Sequence, residues 1–208
     1  GTPTKVTKLQ LTKEEIKEKK EKLGFDANLP LVLVFGGSQG ARSINTSMLG
    51  IIEKRKNTNY QIMWAAGPEQ YEIVKNKFLE KNIDINKIKG IKIVPYIYEM
   101  EEIMNIADLI VSRSGAMTVT EIEKVGKPAI FIPFPYAAEN HQEYNARALE
   151  NRKAAKVILD KDLTEVVLND NILNLTKDKE ELEKMGKRAN EMSIKNVEDK
   201  IYSEIERK

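Results

Sequence analysis

The chain has 208 residues, a length typical of one domain or of two tightly packed ones. Its 34 Lys and Arg residues nearly balance its 32 Asp and Glu residues, so the net charge of +2 gives no global attraction to nucleic acid. The absence of cysteine excludes a disulfide framework and thiolate chemistry, and it agrees with a reducing, cytoplasmic compartment. No apolar run approaches the ~20 residues that span a bilayer and no signal peptide is visible, so we expect a soluble protein.

The first residues predict a loop and then a helix. The chain begins with Gly1 rather than methionine, and the turn-like start Gly1-Thr2-Pro3 predicts a fragment of a longer protein. Thr12 and Glu15 have the spacing of a capping box, in which each residue caps the backbone N–H of the other. We therefore expect a helix from Thr12 to Leu23.

The first glycine-rich turn lies between a strand and a helix. Leu31–Phe35 is apolar at every position, as in a central strand of a parallel sheet. The turn Gly36–Arg42 follows, and then a predicted helix over residues 41–54. Glycines let the backbone approach a phosphate or a sugar closely, and Ser38 and Gln39 can donate side-chain hydrogen bonds to it. The turn is neither a P-loop nor a full dinucleotide fingerprint, so a purely structural turn is the alternative.

Strands and helices continue to alternate along the rest of the chain. The further predicted strands are Gln61–Ala65, Ile91–Val94, Leu109–Val111, Ala129–Pro133 and Ala155–Ile158. The predicted helices between and after them end with Leu163–Leu175 and Glu180 to about Glu206. This alternation predicts an α/β fold, a Rossmann-like open parallel sheet of about six strands with helices on both faces.

A second turn, Arg113–Ala116, opens a helix directly after a buried strand. The unpaired backbone N–H groups and the positive dipole end of that helix face the carboxyl edge of the sheet, where they stabilise a phosphate. Glu121 lies in the second turn of the helix, where its carboxylate can accept hydrogen bonds from ribose hydroxyls. Ser38, Ile97 and Gln142 also fall at the carboxyl ends of strands, where open parallel sheets bind ligands. These positions together predict a nucleotide site.

Three motifs, in this order along the chain, resemble those of one family. They are GGSQGAR at 36–42, RSGAMTVTE at 113–121, and PFP at 133–135 followed by HQ at 141–142 and NA at 145–146. With them the chain resembles the UDP-N-acetylglucosamine (UDP-GlcNAc) transferases of bacterial peptidoglycan synthesis, the MurG family within glycosyltransferase family 28. The resemblance covers essentially the whole chain, as the carboxyl-terminal, donor-binding half.

The resemblance implies a two-lobed GT-B enzyme whose active site lies in the cleft between the lobes. Residues 1–11 would be the inter-lobe linker and residues 12–208 the UDP-sugar domain. The absent amino-terminal lobe would bind the acceptor lipid I, touch the cytoplasmic face of the inner membrane and supply the catalytic base. The whole enzyme would transfer GlcNAc to lipid I with inversion, forming the β-1,4 link of lipid II, and this fragment alone would be inactive.

The family's contacts with the nucleotide carry over to matching positions. Ser38, with Gln39, would contact the diphosphate, and the backbone of Ile97 would hold uracil. The α-phosphate would face the start of the helix, at Gly115, Ala116, Met117 and Thr118.

The ribose and sugar contacts follow in the same way. Glu121 would bind the ribose, and Gln142 and Asn145 would hydrogen-bond the sugar. Lys5 stands where the family has the arginine of an Asn-Pro-x-Arg turn, so the positive charge is kept but the planar, bidentate fork is lost.

The sequence offers no catalytic base and no cofactor site of its own. His141, the only histidine, suits a positioning or capping role near the sugar, and no cluster has metal-ligand spacing. A divalent cation would therefore be expected only with the diphosphate. Nucleic acid is not an expected partner.

Two other functions remain open from the residues. The chain could be a separate donor-binding subunit of a two-component UDP-GlcNAc transferase, or a non-catalytic nucleotide-sugar-binding module. A dehydrogenase is disfavoured because GGSQGA lacks the third-glycine spacing and no acidic residue ends the second strand.

Overall fold

A single six-stranded parallel sheet forms the centre of the fold in the computed structural model, which describes residues 4–37, 40–54 and 59–193. The strands are β1 (Leu31–Phe35), β2 (Gln61–Ala65), β3 (Ile91–Val94), β4 (Leu109–Ser112), β5 (Ala129–Phe131) and β6 (Ala155–Val157). Their order is β3-β2-β1-β4-β5-β6, and every neighbouring pair is parallel. The predicted open parallel α/β sheet is confirmed.

The strand order places the point of reversal between β1 and β4. The chain builds outwards from β1 to β2 and β3, then crosses back to β4 on the other side of β1. Phe35 and Ser112, the last residues of β1 and β4, are partners in the register of the two strands. The turns that follow these two strands therefore begin side by side at the switch point of the sheet, where such folds bind ligands.

Eight helices are defined within the described ranges. They are α1 (Lys13–Lys22), α2 (Arg42–Lys54), α3 (Pro68–Glu80), α4 (Met100–Ile106), α5 (Ala116–Val125), α6 (His141–Asn151), α7 (Glu165–Lys177) and α8 (Lys179–Met192). Short 3-10 turns are formed by Ile85–Lys87, Ala138–Asn140 and Asp160–Asp162.

The helices bury an apolar cluster on each face of the sheet. One cluster joins the sheet to α2, α3 and α7 through residues such as Ile44, Phe78 and Leu168. The other joins it to helices that include α4 and α5, through Met104 and Ile122. Because β1 is paired on both sides and covered on both faces, its five apolar residues are all buried, as expected for a central parallel strand.

Several local predictions can be compared directly with the structure. The capping box is confirmed, since the Glu15 backbone N–H donates to Thr12 Oγ1 (3.1 Å) and the Thr12 N–H donates to Glu15 Oε2 (2.7 Å). The last helix was predicted to about Glu206, but α8 ends at Met192 and Ser193 has extended backbone (ψ 127°). The later part of that prediction lies outside the described residues.

Both edges of the sheet carry lysine. On the edge strand β3, Lys92 is exposed and its Nζ lies 5.8 Å from the centroid of the Phe25 ring. On the opposite edge, β6 is only three residues long and exposes Lys156.

Candidate functional site

The glycine-rich turn after β1 is shaped by close backbone packing. A Cβ on Gly36 would lie 2.2 Å from the backbone nitrogen of Ala41, and one on Gly40 (φ +81°) would lie 2.2 Å from the carbonyl oxygen of Ala66. Gly37 has φ +90° but faces open space, with nothing within 4 Å of an added Cβ. The turn thus needs glycine for its fold and leaves bare backbone at Gly37. The predicted phosphate ligands Ser38 and Gln39 lie outside the described residues.

The turn after β4 presents the amino terminus of α5. Gly115 is its N-cap and supplies no side-chain cap, and the first turn contains no acidic residue. Among the described residues, no protein group accepts from the N–H groups of Ala116, Met117 and Thr118. These are the unpaired donors that make a helix start an anion site.

Helix α6 holds this turn from the other side. The buried hydroxyl of Ser114 donates to the Gln142 carbonyl oxygen (2.7 Å), and the Asn145 side-chain amide donates to the Ser114 carbonyl oxygen (3.1 Å). One N–H of the Asn145 amide is therefore committed to shaping the turn, and its other N–H and its side-chain oxygen remain for a ligand.

A cavity of about 790 Å³ opens between the two turns. Three predicted donor-binding residues, Gly115, Thr118 and Gln142, line it together with the glycines of the first turn. Its remaining walls come from the start of α2, the segment after β5 and the segment after β6. Lys5, Ile97, Ala116, Met117, Glu121 and Asn145 are not among its lining residues.

Gln142 is oriented before any ligand arrives. Its side-chain oxygen accepts the backbone N–H of Phe134 (3.0 Å), which turns its amide nitrogen toward Gly115, 3.9 Å from an added Cβ there. The amide N–H₂ therefore faces the cavity as a donor. His141, the first residue of α6, is exposed, and its Nδ1 lies 2.7 Å from the Ala138 carbonyl oxygen, as expected for a capping role.

Ile97 lies beyond β3 with its side chain buried and its backbone unused. Its side chain belongs to the core and is 4% exposed. Among the described residues, its backbone N–H and C=O make no hydrogen bond. Tyr96 and Tyr98 flank it in an edge-to-face pair with centroids 5.2 Å apart, and Tyr98 is 87% exposed. The segment offers a free backbone donor and acceptor beside exposed rings.

Glu121 lies on α5 and is already hydrogen-bonded. Its Oε1 accepts the hydroxyl of Thr4 at 2.8 Å. Lys5 is exposed at the start of the same segment, and no hydrogen bond or ion pair joins it to another described residue.

A profile of the glycosyltransferase family 28 C-terminal domain matches residues 31–201. The chain belongs to this family. The match covers both turns, all six strands and every residue that lines the cavity.

Relatives and solved structures agree with this assignment. The chain is 39% identical to a protein of Acetivibrio thermocellus over 99% of the chain and 54% of that protein, and 41% identical to one of Caldanaerobacter subterraneus over 97% and 54%. Both are named UDP-N-acetylglucosamine–N-acetylmuramyl-(pentapeptide) pyrophosphoryl-undecaprenol N-acetylglucosamine transferase. The structure of MurG from Acinetobacter baumannii superposes with a TM-score of 0.78, at 26% identity over 100% of this chain and 57% of that one. The chain thus spans about half the length of the relatives that it matches.

This family 28 domain contains a buried polar network that the sequence did not indicate. Arg113 donates to Asp160 (2.5 Å), to Ser43 (2.9 Å) and to the carbonyl oxygens of Ile132 and Pro133 (3.1 and 3.0 Å). The Arg113 and Asp160 side chains are 12% and 21% exposed. The network joins four elements, and Ser43, Arg113 and Asp160 themselves line the cavity, so it forms part of the wall and holds it in place. The one feature of the sequence that pointed to this network was the position of Asp160, which follows the carboxyl end of β6.

Two groups with displaced pKa values lie away from the cavity in the family 28 domain. Burial raises the pKa of Glu123 on α5 to about 7. Burial likewise lowers the pKa of Lys127, which lies just before β5 at the amino ends of the strands, to about 8. Neither residue lines the cavity, so these shifts bear on stability rather than on the site.

Among the described residues, no three His, Asp or Glu side chains come together as a metal site. No helix within the described ranges has the length and hydropathy to cross a membrane.

Proposed function

We propose that this family 28 domain binds UDP-GlcNAc as the donor half of a transferase that adds GlcNAc to lipid I. The observation that carries the proposal is the pairing of Phe35 with Ser112 at the switch point. It places a bare glycine turn and an uncapped helix start on opposite sides of one cavity. The names of the relatives, which describe an N-acetylglucosamine transferase, support this donor over other nucleotides.

The diphosphate would lie between the two turns. The N–H groups at the start of α5 and the backbone at Gly37 offer fixed donors there, with Ser38 and Gln39 in the same turn. As the acceptor hydroxyl attacks the anomeric carbon, negative charge grows on the departing diphosphate. Donors fixed in advance stabilise that charge more than they stabilise the bound substrate, which is the condition for faster transfer. A divalent cation would enter only with the diphosphate.

The uridine and sugar would lie on either side of the diphosphate. The free backbone groups of Ile97 suit an imide edge such as that of uracil, and the Glu121 carboxylate suits ribose hydroxyls. The oriented amide of Gln142 and the side-chain oxygen of Asn145 suit the hydroxyl or acetamido groups of GlcNAc. Lys5 would contribute charge near the cleft without a bidentate contact.

The remaining machinery would come from an amino-terminal lobe joined through residues 1–11. That lobe would hold lipid I, contact the cytoplasmic face of the cell membrane and provide the base, with residues 12–208 as the donor domain. No residue of this chain is proposed as a catalytic residue. The chain alone would therefore bind donor without transferring the sugar.

Calorimetric titration with UDP-GlcNAc, UDP, ADP and NAD tests the proposal. We expect uridine-selective binding that Glu121→Ala weakens about tenfold or more, since hydrogen bonds to a charged group contribute about 1.5–3 kcal/mol. Glu18→Ala, which removes an exposed carboxylate on α1, is the matched control and should leave binding unchanged. A preference for ADP or NAD would contradict the proposal.

Addition of the amino-terminal lobe of a relative extends the test to transfer. Turnover of lipid I with UDP-GlcNAc would support the transferase, either as one chain or as two subunits. Tight UDP-GlcNAc binding without turnover would favour a non-catalytic binding module.

A further inference from the structure

The segment before α1 is tied to the domain by a ladder of side-chain hydrogen bonds. The backbone N–H and the hydroxyl of Thr7 both donate to Glu101 Oε1 (2.8 and 2.7 Å). The N–H of Leu9 donates to the Asn105 side-chain oxygen (2.9 Å), and the Asn105 amide donates back to the Thr7 carbonyl oxygen (2.8 Å). Val6, which precedes Thr7, is buried in the core. The segment is therefore fixed along α4.

Thr4 extends this ladder to α5 and to the carboxylate of Glu121. The Val6 backbone N–H donates to Thr4 Oγ1 (3.2 Å), so that oxygen already serves as an acceptor. A hydroxyl has a single proton to donate, and here it is directed to Glu121 Oε1 at 2.8 Å. Among the described residues, Thr4 is the one hydrogen-bond partner of the Glu121 side chain. A carboxylate has about four lone-pair positions, so the other oxygen and part of Oε1 stay open to a ligand.

We propose that Thr4 is a positioning residue that orients Glu121 to receive the ribose of the nucleotide. This inference rests on the proposed donor-binding function and adds a residue to it. A half-exposed glutamate samples several rotamers, and binding through it must suppress that freedom. The Thr4 hydroxyl restricts the carboxylate before the ligand arrives, so less ordering is required on binding.

The contact also couples the ribose position to residues 4–9. If the Thr4 hydrogen bond favours ribose binding, then ribose binding stabilises the Thr4 hydrogen bond to the same extent, because coupling between two sites is reciprocal. Nucleotide should therefore slow amide hydrogen exchange in this segment, although the cavity lies elsewhere. A purely structural role for Thr4 would not produce that coupling.

The test compares Thr4→Val and Thr4→Ser in the 208-residue chain, titrated with UDP and with 2′,3′-dideoxy-UDP. Thr4→Val keeps the shape and removes the hydroxyl, and we expect UDP binding about fivefold to tenfold weaker, because the Glu121 carboxylate must then be ordered when the ligand binds. Binding of the dideoxy nucleotide should change less than about twofold, because it has no ribose hydroxyls for Glu121 to accept. Thr4→Ser should restore UDP binding. UDP should slow exchange at residues 4–9 in the wild type and not in Thr4→Val.

The same titrations distinguish a failure of the positioning role of Thr4 from a failure of the proposed role of Glu121. Equal weakening of both nucleotides by Thr4→Val, or no weakening of either, would overturn the positioning role while leaving the donor site intact. Equal binding of UDP and dideoxy-UDP by the wild type would show that Glu121 does not read the ribose. That result would overturn both this inference and the proposed role of Glu121. In a Glu121→Ala background, which leaves Thr4 no side chain to orient, Thr4→Val should have little further effect on UDP binding.

Discussion

The Arg113–Asp160 ion pair in the wall of the cavity allows a quantitative test of what holds that wall. Asp160→Asn keeps the size of the side chain and removes its charge. Asp160 Oδ1 accepts hydrogen bonds from Arg113 (2.5 Å) and from the Ser43 hydroxyl (2.6 Å). The substitution therefore leaves the Arg113 guanidinium, whose side chain is only 12% exposed, without its counter-charge.

The expected loss follows from the burial of the pair. Removal of one partner of a fully buried ion pair costs about 3–5 kcal/mol, because the remaining charge is uncompensated. Here the Asp160 side chain is 21% exposed and Arg113 keeps two carbonyl acceptors, so we expect about 2–3 kcal/mol. For a domain of this size each kcal/mol lowers Tm by about 2–4 °C, so Asp160→Asn should melt roughly 4–12 °C below the wild type.

The measurement is calorimetric melting together with urea unfolding, with a surface pair as the control. Glu165→Gln breaks the Lys54–Glu165 pair, which has a similar separation of 2.6 Å but a lysine side chain that is 69% exposed. Exposed pairs contribute about 0–1 kcal/mol, so this variant should melt within a few degrees of the wild type. If the two variants lost the same stability, burial would not be what makes the Arg113–Asp160 pair important, and the reasoning would be refuted.

Three further changes test the stability of the domain. Burial raises the pKa of Glu123 from 4.5 to about 7, so the free energy of unfolding should fall as pH rises from 4.5 to 7. Urea unfolding should therefore show that Glu123→Gln stabilises the domain at pH 8 and is neutral below pH 4.5. Burial lowers the pKa of Lys127 to about 8 from 10.5, so Lys127→Met should be stabilising at pH 7, and that advantage should vanish as pH rises to 10.5. A pH-independent effect of either substitution would contradict the assigned cause. Gly40→Ala should destabilise the domain far more than Gly37→Ala. Both glycines have positive φ, but only at Gly40 does a backbone oxygen lie 2.2 Å from the added Cβ. If thermal melts showed an equal loss of stability for the two variants, backbone strain alone would govern the turn.

The sheet was predictable because its strands are local signals. The strands 31–35, 61–65 and 91–94 have the predicted bounds, since each is an apolar or alternating run bounded by turn residues. The sequence does not fix the start of α6 at His141, which follows from the left-handed backbone of Glu139 and Asn140 (φ 50° and 55°). Asn is enriched among the few non-glycine residues that take that conformation, so Asn140 is a weak signal of it, whereas Glu139 is none.

Only part of the candidate site follows from local pattern. The approach of Gly115 to Gln142 was predictable, since both follow strand ends that a parallel sheet brings to one edge. The Arg113–Asp160 pair and the Thr4–Glu121 hydrogen bond join residues that are 47 and 117 positions apart. Periodicity and motif spacing carry no information about such partners, because tertiary packing alone brings them together.

The lysines at the two edges of the sheet constrain how the domain can be joined to anything else. Outward-facing lysines and a short terminal strand are devices that oppose the addition of another strand. These features disfavour extension of the sheet by a second lobe through backbone pairing at β3 or β6. An approach along the strands, over their carboxyl ends and the helix starts, leaves these edges untouched, and it is the direction from which an acceptor would reach a bound donor.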